Sequence, residues 1–372
     1  MEEKQLLEQL PYAYLLHRVW GFNNRRMWKL TEKVGLPKDI YECKEEVWKE
    51  LSEEKRKEWK EKQSLWEPER EWESLQRQGI RFLPYFHPDY PEKLKNIPDP
   101  PWGLYVLGKM PATEKPSVAI VGARQCSEYG RFAAKLLGKK LGEQGIPIVS
   151  GMARGIDGIS QMAALDAGGE SFAVLGCGVD VCYPKENRKL YELLRWKGGI
   201  LSEYPPETRP FAAFFPPRNR IISGLCDVLV VVEAKEKSGT LITVDMALEQ
   251  GRDVLVVPGR MTDALSCGCN RLIKQGAEIL TSPEDIFTLL PVDRTPGEKN
   301  ERNVEGKKVF GFVTETEKTV YELLDFTPKN IEQIWQEYGI EKITLPKLMQ
   351  VLMELCLKEA AVQAGGSYIN RV

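Results

Sequence analysis

The chain has 372 residues, with 52 Lys or Arg against 54 Asp or Glu and a hydrophobic fraction of 42%. That fraction supports a sizeable buried core and excludes global disorder, and the length suits two or three domains. The near-neutral balance excludes a histone-like polycation but leaves room for a local basic cleft. No apolar run reaches the roughly 18 residues of a membrane span, and Met1-Glu2-Glu3-Lys4 lacks a signal-peptide shape, so the expected location is cytoplasmic.

In chain order, residues 1–78 read as a small helical module of the SAM or helix-hairpin-helix kind. Leu15, Leu16, Val19 and Trp20 supply one apolar face and Trp28, Leu30 and Val34 another. Such a unit can be an interaction module or a helical cap packed on the main domain. The charge-dense stretch 52–62 reads as a solvated helix face. Residues 79–116 are rich in Pro and aromatics and read as an irregular connector and edge of the central domain, with a short strand at Leu104-Tyr105-Val106-Leu107.

From 117 to 290 the pattern becomes βα alternation. Apolar runs of strand length fall at 118–121, 146–149, 172–175, 200–201, 228–232 and 254–257, and a further one at 277–280. Continuous apolar strands separated by helices predict a parallel sheet covered on both faces. Residues 291–309 read as a linker. In residues 310–372, helical segments at 315–324, 330–338 and 345–357 followed by a Gly-Gly hairpin match a winged helix, which can bind DNA or protein. Its charge balance leans toward protein.

Ligands of open parallel sheets bind beyond the carboxyl ends of the strands, so the loops there are informative. The first is Gly122-Ala123-Arg124, where Arg124 offers a planar cation suited to phosphate. It lacks the G-x-G-x-x-G of a dinucleotide enzyme. The second, Ser150-Gly151-Met152-Ala153-Arg154-Gly155-Ile156-Asp157, is a tight βα turn that also lets backbone approach a ligand, with Asp157 placed as a helix N-cap. The third carries Gly176 and Gly178, then Tyr183 and Lys185. The densest cluster is Phe211, Phe214, Phe215, Pro216, Pro217, Arg218, Asn219 and Arg220. Aromatic faces beside Arg and Lys are the physical recipe for single-stranded nucleic acid. The plainer account makes the phenylalanines core and pairs the arginines with carboxylates. Lys237-Ser238-Gly239-Thr240 opens a helix as another anion-ready terminus.

The eight cysteines include no C-x-x-C pair, so Cys267-Gly268-Cys269 is expected to be thiol rather than metal site, and no metal or cofactor is expected. No histidine lies between 117 and 290, and no nucleophile elbow or Walker loop occurs. Phosphate-friendly loops without an evident catalytic group favour binding over turnover.

These motifs, in this order, resemble the DNA-processing protein A (DprA/Smf) family. The matches are Gly122-x-Arg124 with Ser127-x-Tyr129-Gly130, Ser150-Gly151-x-Ala153-x-Gly155-Ile156-Asp157, Gly176-x-Gly178-x-Asp180, Tyr183-Pro184-x-x-Asn187 and Ser202-Glu203-Tyr204-Pro205. They continue through Phe215-Pro216-x-Arg218-Asn219-Arg220-Ile221-Ile222, Val231-Val232-Glu233-Ala234, Ser238-Gly239-Thr240-Leu241-Ile242-Thr243, Val257-Pro258-Gly259 and Asn270-Arg271-Leu272-Ile273. The resemblance implies an extended Rossmann-like α/β domain that binds single-stranded DNA, a homodimer formed through that domain, and loading of the RecA recombinase in natural transformation. Carried onto this chain, Arg124, Lys185, Arg218, Asn219, Arg220 and Lys237 become DNA contacts. Gly122, Ser150, Gly151, Gly155, Gly176, Gly178, Ser238, Gly239 and Thr240 become phosphate loops, and Tyr183, Phe214 and Phe215 base-stacking faces. Arg124 and Arg218 are expected to be removable without unfolding. Where the family has Ala-His, this chain has Ser160-Gln161. The rival is an enzyme like the lysine-decarboxylase-like nucleotide-monophosphate phosphoribohydrolases, whose P-G-G-x-G-T-x-x-E loop is only partly matched here. A nucleotide-sensing regulatory domain is a third reading.

Overall fold

The computed structural model describes residues 3–20, 24–42, 53, 57, 60, 61, 67–112, 115–290, 314–325, 328–358, 360–364 and 367–370. The expected linker, most of the stretch 52–62 and the Gly-Gly hairpin tip lie outside them. Two compact units emerge, one comprising Met1–Cys126 and Ala133–Val292, the other Asp293–Val372 with Ser127–Phe132.

The first unit opens with helices α1 (Glu3–Trp20), α2 (Asn24–Val34), α3 (Pro37–Glu42) and α4 (Pro68–Arg77). They do not form a core of their own. Leu15, Leu16, Met27, Ile40 and Leu75 from these helices share one apolar cluster with Phe82, Trp102 and Tyr105 of the adjoining sheet. This is the packing of a helical cap on the adjoining sheet. The sheet begins with β1 (Ile80–Pro84), followed by the short helix α5 (Glu92–Lys95) and β2 (Gly103–Gly108). Within residues 79–116, read from the sequence as an irregular connector and edge of the central domain, β1 pairs with the whole of β2, from Ile80–Leu107 to Pro84–Gly103. An edge strand tolerates Pro84 at its end because one side needs no ladder donor.

The alternating part follows: β3 (Val118–Val121), α6 (Glu128–Glu143), β4 (Ile148–Ser150), α7 (Ile156–Asp166), β5 (Ser171–Leu175), α8 (Arg188–Lys197) and β6 (Gly199–Ser202). It continues with α9 (Phe215–Leu225), β7 (Val228–Val231), α10 (Gly239–Glu249), β8 (Asp253–Val256), α11 (Cys267–Lys274), β9 (Glu278–Ile279) and α12 (Pro283–Leu289). The nine strands order as β1-β2-β6-β5-β4-β3-β7-β8-β9. From β6 to β9 every pairing is parallel, and β1 and β2 add an antiparallel edge beyond β6. Val118–Val121 and Ser171–Leu175 are buried throughout, as a sheet covered on both faces requires. One face packs on the α1–α4 cap and α8, the other on α9, α10 and α11.

His17 on α1 is buried in the first of these cores. Its ring lies 5.0 Å from that of Phe82, 5.3 Å from Tyr105 and 6.1 Å from Trp102, and Nδ1 is 3.1 Å from the Tyr105 hydroxyl. Burial pushes its pKa down from 6.5 to about 3. The neutral ring is therefore favoured in the folded state. As pH falls below 6.5, the unfolded chain gains a proton that the folded chain refuses until about 3, and stability is lost across that window. Between pH 7 and pH 5, wild type should lose about 2 kcal/mol more unfolding free energy than His17→Phe. Urea titrations at the two pH values measure this, and equal losses would contradict it.

The second unit holds α13 (Glu315–Leu323), β10 (Lys329–Asn330), α14 (Ile331–Tyr338), α15 (Leu345–Leu357), β11 (Ala361–Ala364) and β12 (Ser367–Asn370). Capping boxes at Thr314 and Asn330 start two of its helices, and β12 pairs antiparallel with both β10 and β11. This is a winged-helix-like arrangement around Val320, Ile334, Leu348, Leu352 and Leu355. The outward face of α15 carries Met349, Met353 and Leu357, all exposed, so it is apolar rather than basic. Among the described residues, no helix is long and apolar enough to cross a membrane.

Candidate nucleic-acid interface

The strand order reverses at β3: β4, β5 and β6 lie on one side of it and β7, β8 and β9 on the other. Loops leaving β3 and β7 therefore part and open a crevice at the carboxyl edge, where α/β sheets hold ligands. A cavity of about 510 Å³ occupies it. Gly122, Ala123 and Arg124 line it from β3, Ala153 and Asp157 from beyond β4, and Tyr183 from beyond β5. Pro210, Ala212, Phe215, Arg218 and Asn219 come from the approach to α9, and Ser238, Gly239, Thr240, Ile242 and Thr243 from the start of α10.

Phe215 is its centre. The Arg124 guanidinium carbon lies 5.5 Å from the ring centroid and that of Arg218 lies 5.8 Å away. Both are within cation–π range. Tyr183, which precedes Pro184 through a cis peptide bond, lies 5.7 Å from the same ring at 31°. Gly176 passes under it; a Cβ there would meet Phe215 Cδ1 at 2.9 Å. Two cations on one aromatic ring repel each other, and an anion between them relieves that repulsion.

The two arginines have different roles. Arg124 is exposed, as are Lys185 and Lys237, and none of the three has a carboxylate partner among the described residues. Arg218 is only 5% exposed. Its Nη1 donates to the Gly151 carbonyl at 3.0 Å and to the Val174 carbonyl, while Nε has no partner among the described residues. Burial pulls its pKa down to about 10, and the Arg124 charge adds to the lowering. Burial likewise raises the pKa of Asp157, against the pull of Arg218. Arg218 is thus a buried charge that ties the ends of β4 and β5 to α9, as well as a wall of the cavity.

Arg220 does not reach the cavity. It forms two hydrogen bonds with Glu203, Nη1 to Oε2 at 2.9 Å and Nη2 to Oε1 at 2.7 Å, and both side chains are 7% exposed. Its Nε donates to the Asp99 carbonyl at 2.8 Å. Glu203 holds the guanidinium above its ordinary pKa despite the lowering that burial imposes. The reading of Arg220 as a DNA contact is therefore corrected, because its donors are spent inside the fold. Phe214 also turns away, stacking on Tyr204 at 4.3 Å and 27°. Phe214 is absent from the cavity lining, and its reading as a base-stacking face is corrected because its ring is taken up by Tyr204.

The backbone of the glycine loops is largely self-satisfied. Gly151 N donates to Asp157 Oδ2 at 3.1 Å, Met152 N to Gln161 Oε1 at 3.0 Å and Gly178 N to the Thr208 carbonyl at 2.9 Å. The Ser150 hydroxyl donates to the Ile120 carbonyl at 2.6 Å. Ser238 caps its own helix, accepting from Thr240 N at 3.2 Å. The expected N-cap Asp157 instead sits inside α7, whose N-cap is Gly155 at φ 74°, pressed against the Ala123 and Arg124 carbonyls. Of the expected phosphate-loop residues, Gly122, Ser238, Gly239 and Thr240 face the cavity. Gly151 faces a smaller adjoining pocket; Gly155 and Gly176 lie against the lining residues Ala123, Arg124 and Phe215, and Ser150 and Gly178 do not line either pocket. Sequence reasoning assigned no role to Ala153, Ile242 and Thr243, which share the lining; their neutral side chains carry no signal.

The family model for DNA recombination-mediator protein A matches residues 81–291. The DNA processing protein DprA of Streptococcus pneumoniae is 45% identical over 198 residues, covering 53% of this chain and 70% of that protein. That of Bacillus subtilis is 43% identical over 238 residues, 64% of this chain and 77% of that one. The crystal structure of the Streptococcus pneumoniae protein superimposes with a TM-score of 0.64 at 34% identity, covering 75% of this chain and 98% of that one. DNA processing protein A from Helicobacter pylori, whose structure concerns its single-stranded DNA binding mode, gives 0.51 at 29% identity over 56% and 94%. Sequence and fold agree, and the chain belongs to the DNA recombination-mediator protein A family.

Proposed function

We propose that this protein binds single-stranded DNA in the crevice between β3 and β7, without turnover, and hands it to the RecA recombinase during natural transformation. One observation carries the binding part: exposed Arg124 and buried Arg218 flank one aromatic ring in a cavity at the sheet's switch point. A phosphodiester relieves the repulsion between them, while Tyr183, 40% exposed, offers a face for a base. Lys185 and Lys237 lie outside the cavity lining and, being exposed, are the further cations offered to the strand's backbone, and Asn219 supplies a neutral amide within the cavity. The amides of Gly151 and Met152 are already committed to Asp157 and Gln161 and are not offered to a phosphate. The recombinase role rests on membership of the mediator family. Pairing into a homodimer through the Rossmann-like unit belongs to the same reading and rests on membership of the family. The working compartment is the cytoplasm, where the recombinase and incoming strands meet.

Arg124→Ala should weaken binding of a single-stranded oligonucleotide about tenfold at low salt. The slope of log affinity against log salt should become shallower by about 0.7, the share of one phosphate on a single strand. Its unfolding midpoint should not move, since the side chain is exposed. A fluorescence anisotropy titration across a salt series measures both, and wild-type affinity with a wild-type slope would overturn the assignment.

A further inference from the structure

The turn after β4 is held by side chains from three other elements. Asp157 and Gln161 on α7 take the Gly151 and Met152 amides, and Arg218 on α9 takes the Gly151 carbonyl. The carbonyls of Met152 and Ala153 go to one residue: Asn187 Nδ2 donates to them at 2.9 and 3.1 Å. Met152 stands at φ 53°, a left-handed conformation that a non-glycine residue keeps only when its surroundings over-determine it. Asn187 closes the loop that starts at Tyr183, and it packs closely enough that a Cβ on Gly158 would meet its Nδ2 at 2.9 Å. Ala153 and Tyr183 both line the cavity; Asn187 does not. Its amide therefore joins the β4 wall of the crevice to the β5 wall.

We infer that Asn187 is a positioning residue for single-strand binding, locking the 151–153 turn to the Tyr183 loop so that the crevice is set before the strand arrives. The inference rests on the proposed use of the crevice for single-stranded DNA. Both hydrogen bonds need a donor, because both partners are carbonyls. Asn187→Asp keeps the shape and places a carboxylate against two carbonyl oxygens. Asn187→Ala removes the clamp without adding charge. Neither change removes a phosphate contact.

The test uses the full chain and fluorescent oligodeoxythymidine over a salt series, well below each variant's separately measured unfolding midpoint. Both variants should bind about tenfold more weakly, which corresponds to the loss of two modest hydrogen bonds. The salt slope should stay at the wild-type value, in contrast to Arg124→Ala. Wild-type affinity in folded Asn187→Ala overturns the inference, and so does a slope shallower by one phosphate, which would make Asn187 a direct contact. If the wild-type protein fails to bind the oligonucleotide, the reading of the crevice falls and the inference falls with it. If wild type binds and the variants match it, only the role of Asn187 falls.

Discussion

Replacing Arg220 with Ala will destabilise the fold by about 3–5 kcal/mol, the usual result of stripping one partner from a buried ion pair. The geometry explains the size. Two charge-assisted hydrogen bonds to Glu203, at 2.9 and 2.7 Å, would vanish together, and Glu203, itself 7% exposed on its side chain, would remain as a carboxylate with no counter-charge. The Asp99 and Pro217 carbonyls would also lose a donor. Removing both partners, with Arg220→Met and Glu203→Met together, should cost less than Arg220→Ala alone, because no buried charge is left unpaired: Asp99, whose Oδ2 lies 3.0 Å from Arg220 Nε, is exposed to water. Urea denaturation of the single and double variants checks this. A single-variant loss under about 1 kcal/mol would show that water reaches the pair.

Arg218→Met should cost roughly 3 kcal/mol, while also abolishing most single-strand binding. Met matches much of the volume, so the loss is electrostatic. Two strand-end carbonyls, Gly151 and Val174, lose their donor, and Asp157 loses the neighbouring positive charge. From the sequence, Arg218 is expected to be removable without unfolding, as Arg124 is; its burial and its bonds to two strand-end carbonyls argue for a cost that Arg124 does not carry. Thermal unfolding beside anisotropy separates the two outcomes: an unshifted midpoint would mean that the guanidinium is dispensable to the fold. A guanidinium in the first turn of α9 also opposes the helix dipole, a further sign that the position is kept for something other than helix stability.

Much of the architecture was legible because parallel strands buried on both faces read as unbroken apolar runs. The runs at 118–121, 172–175, 228–232 and 254–257 all became strands within a residue of their expected ends. The edge strand β1 was hidden, since Pro84, Tyr85, Phe86 and Pro88 suggest irregular chain, and only its pairing with β2 shows otherwise. The site was legible as a set of loops at one sheet edge, but not as a division of labour. Spacing gathers Arg218, Asn219 and Arg220 into one cluster, yet successive helical residues face different partners: the first binds strand-end carbonyls, the second lines the cavity and the third pairs with a carboxylate from beyond β6. In the sequence Asn187 stands out only as the end of Tyr183-Pro184-x-x-Asn187. Its role depends on two carbonyls 34 and 35 residues away in sequence, which no local pattern encodes.

The bracing of the 151–153 turn by Asp157, Gln161, Arg218 and Asn187 has an energetic consequence. A wall held in this way gains little by reshaping itself around a guest, so the disorder lost on association must come chiefly from the strand. Discrimination among strands would then follow their stiffness: a chain whose bases stack weakly on one another bends into the crevice at lower cost than one already stiffened by stacking.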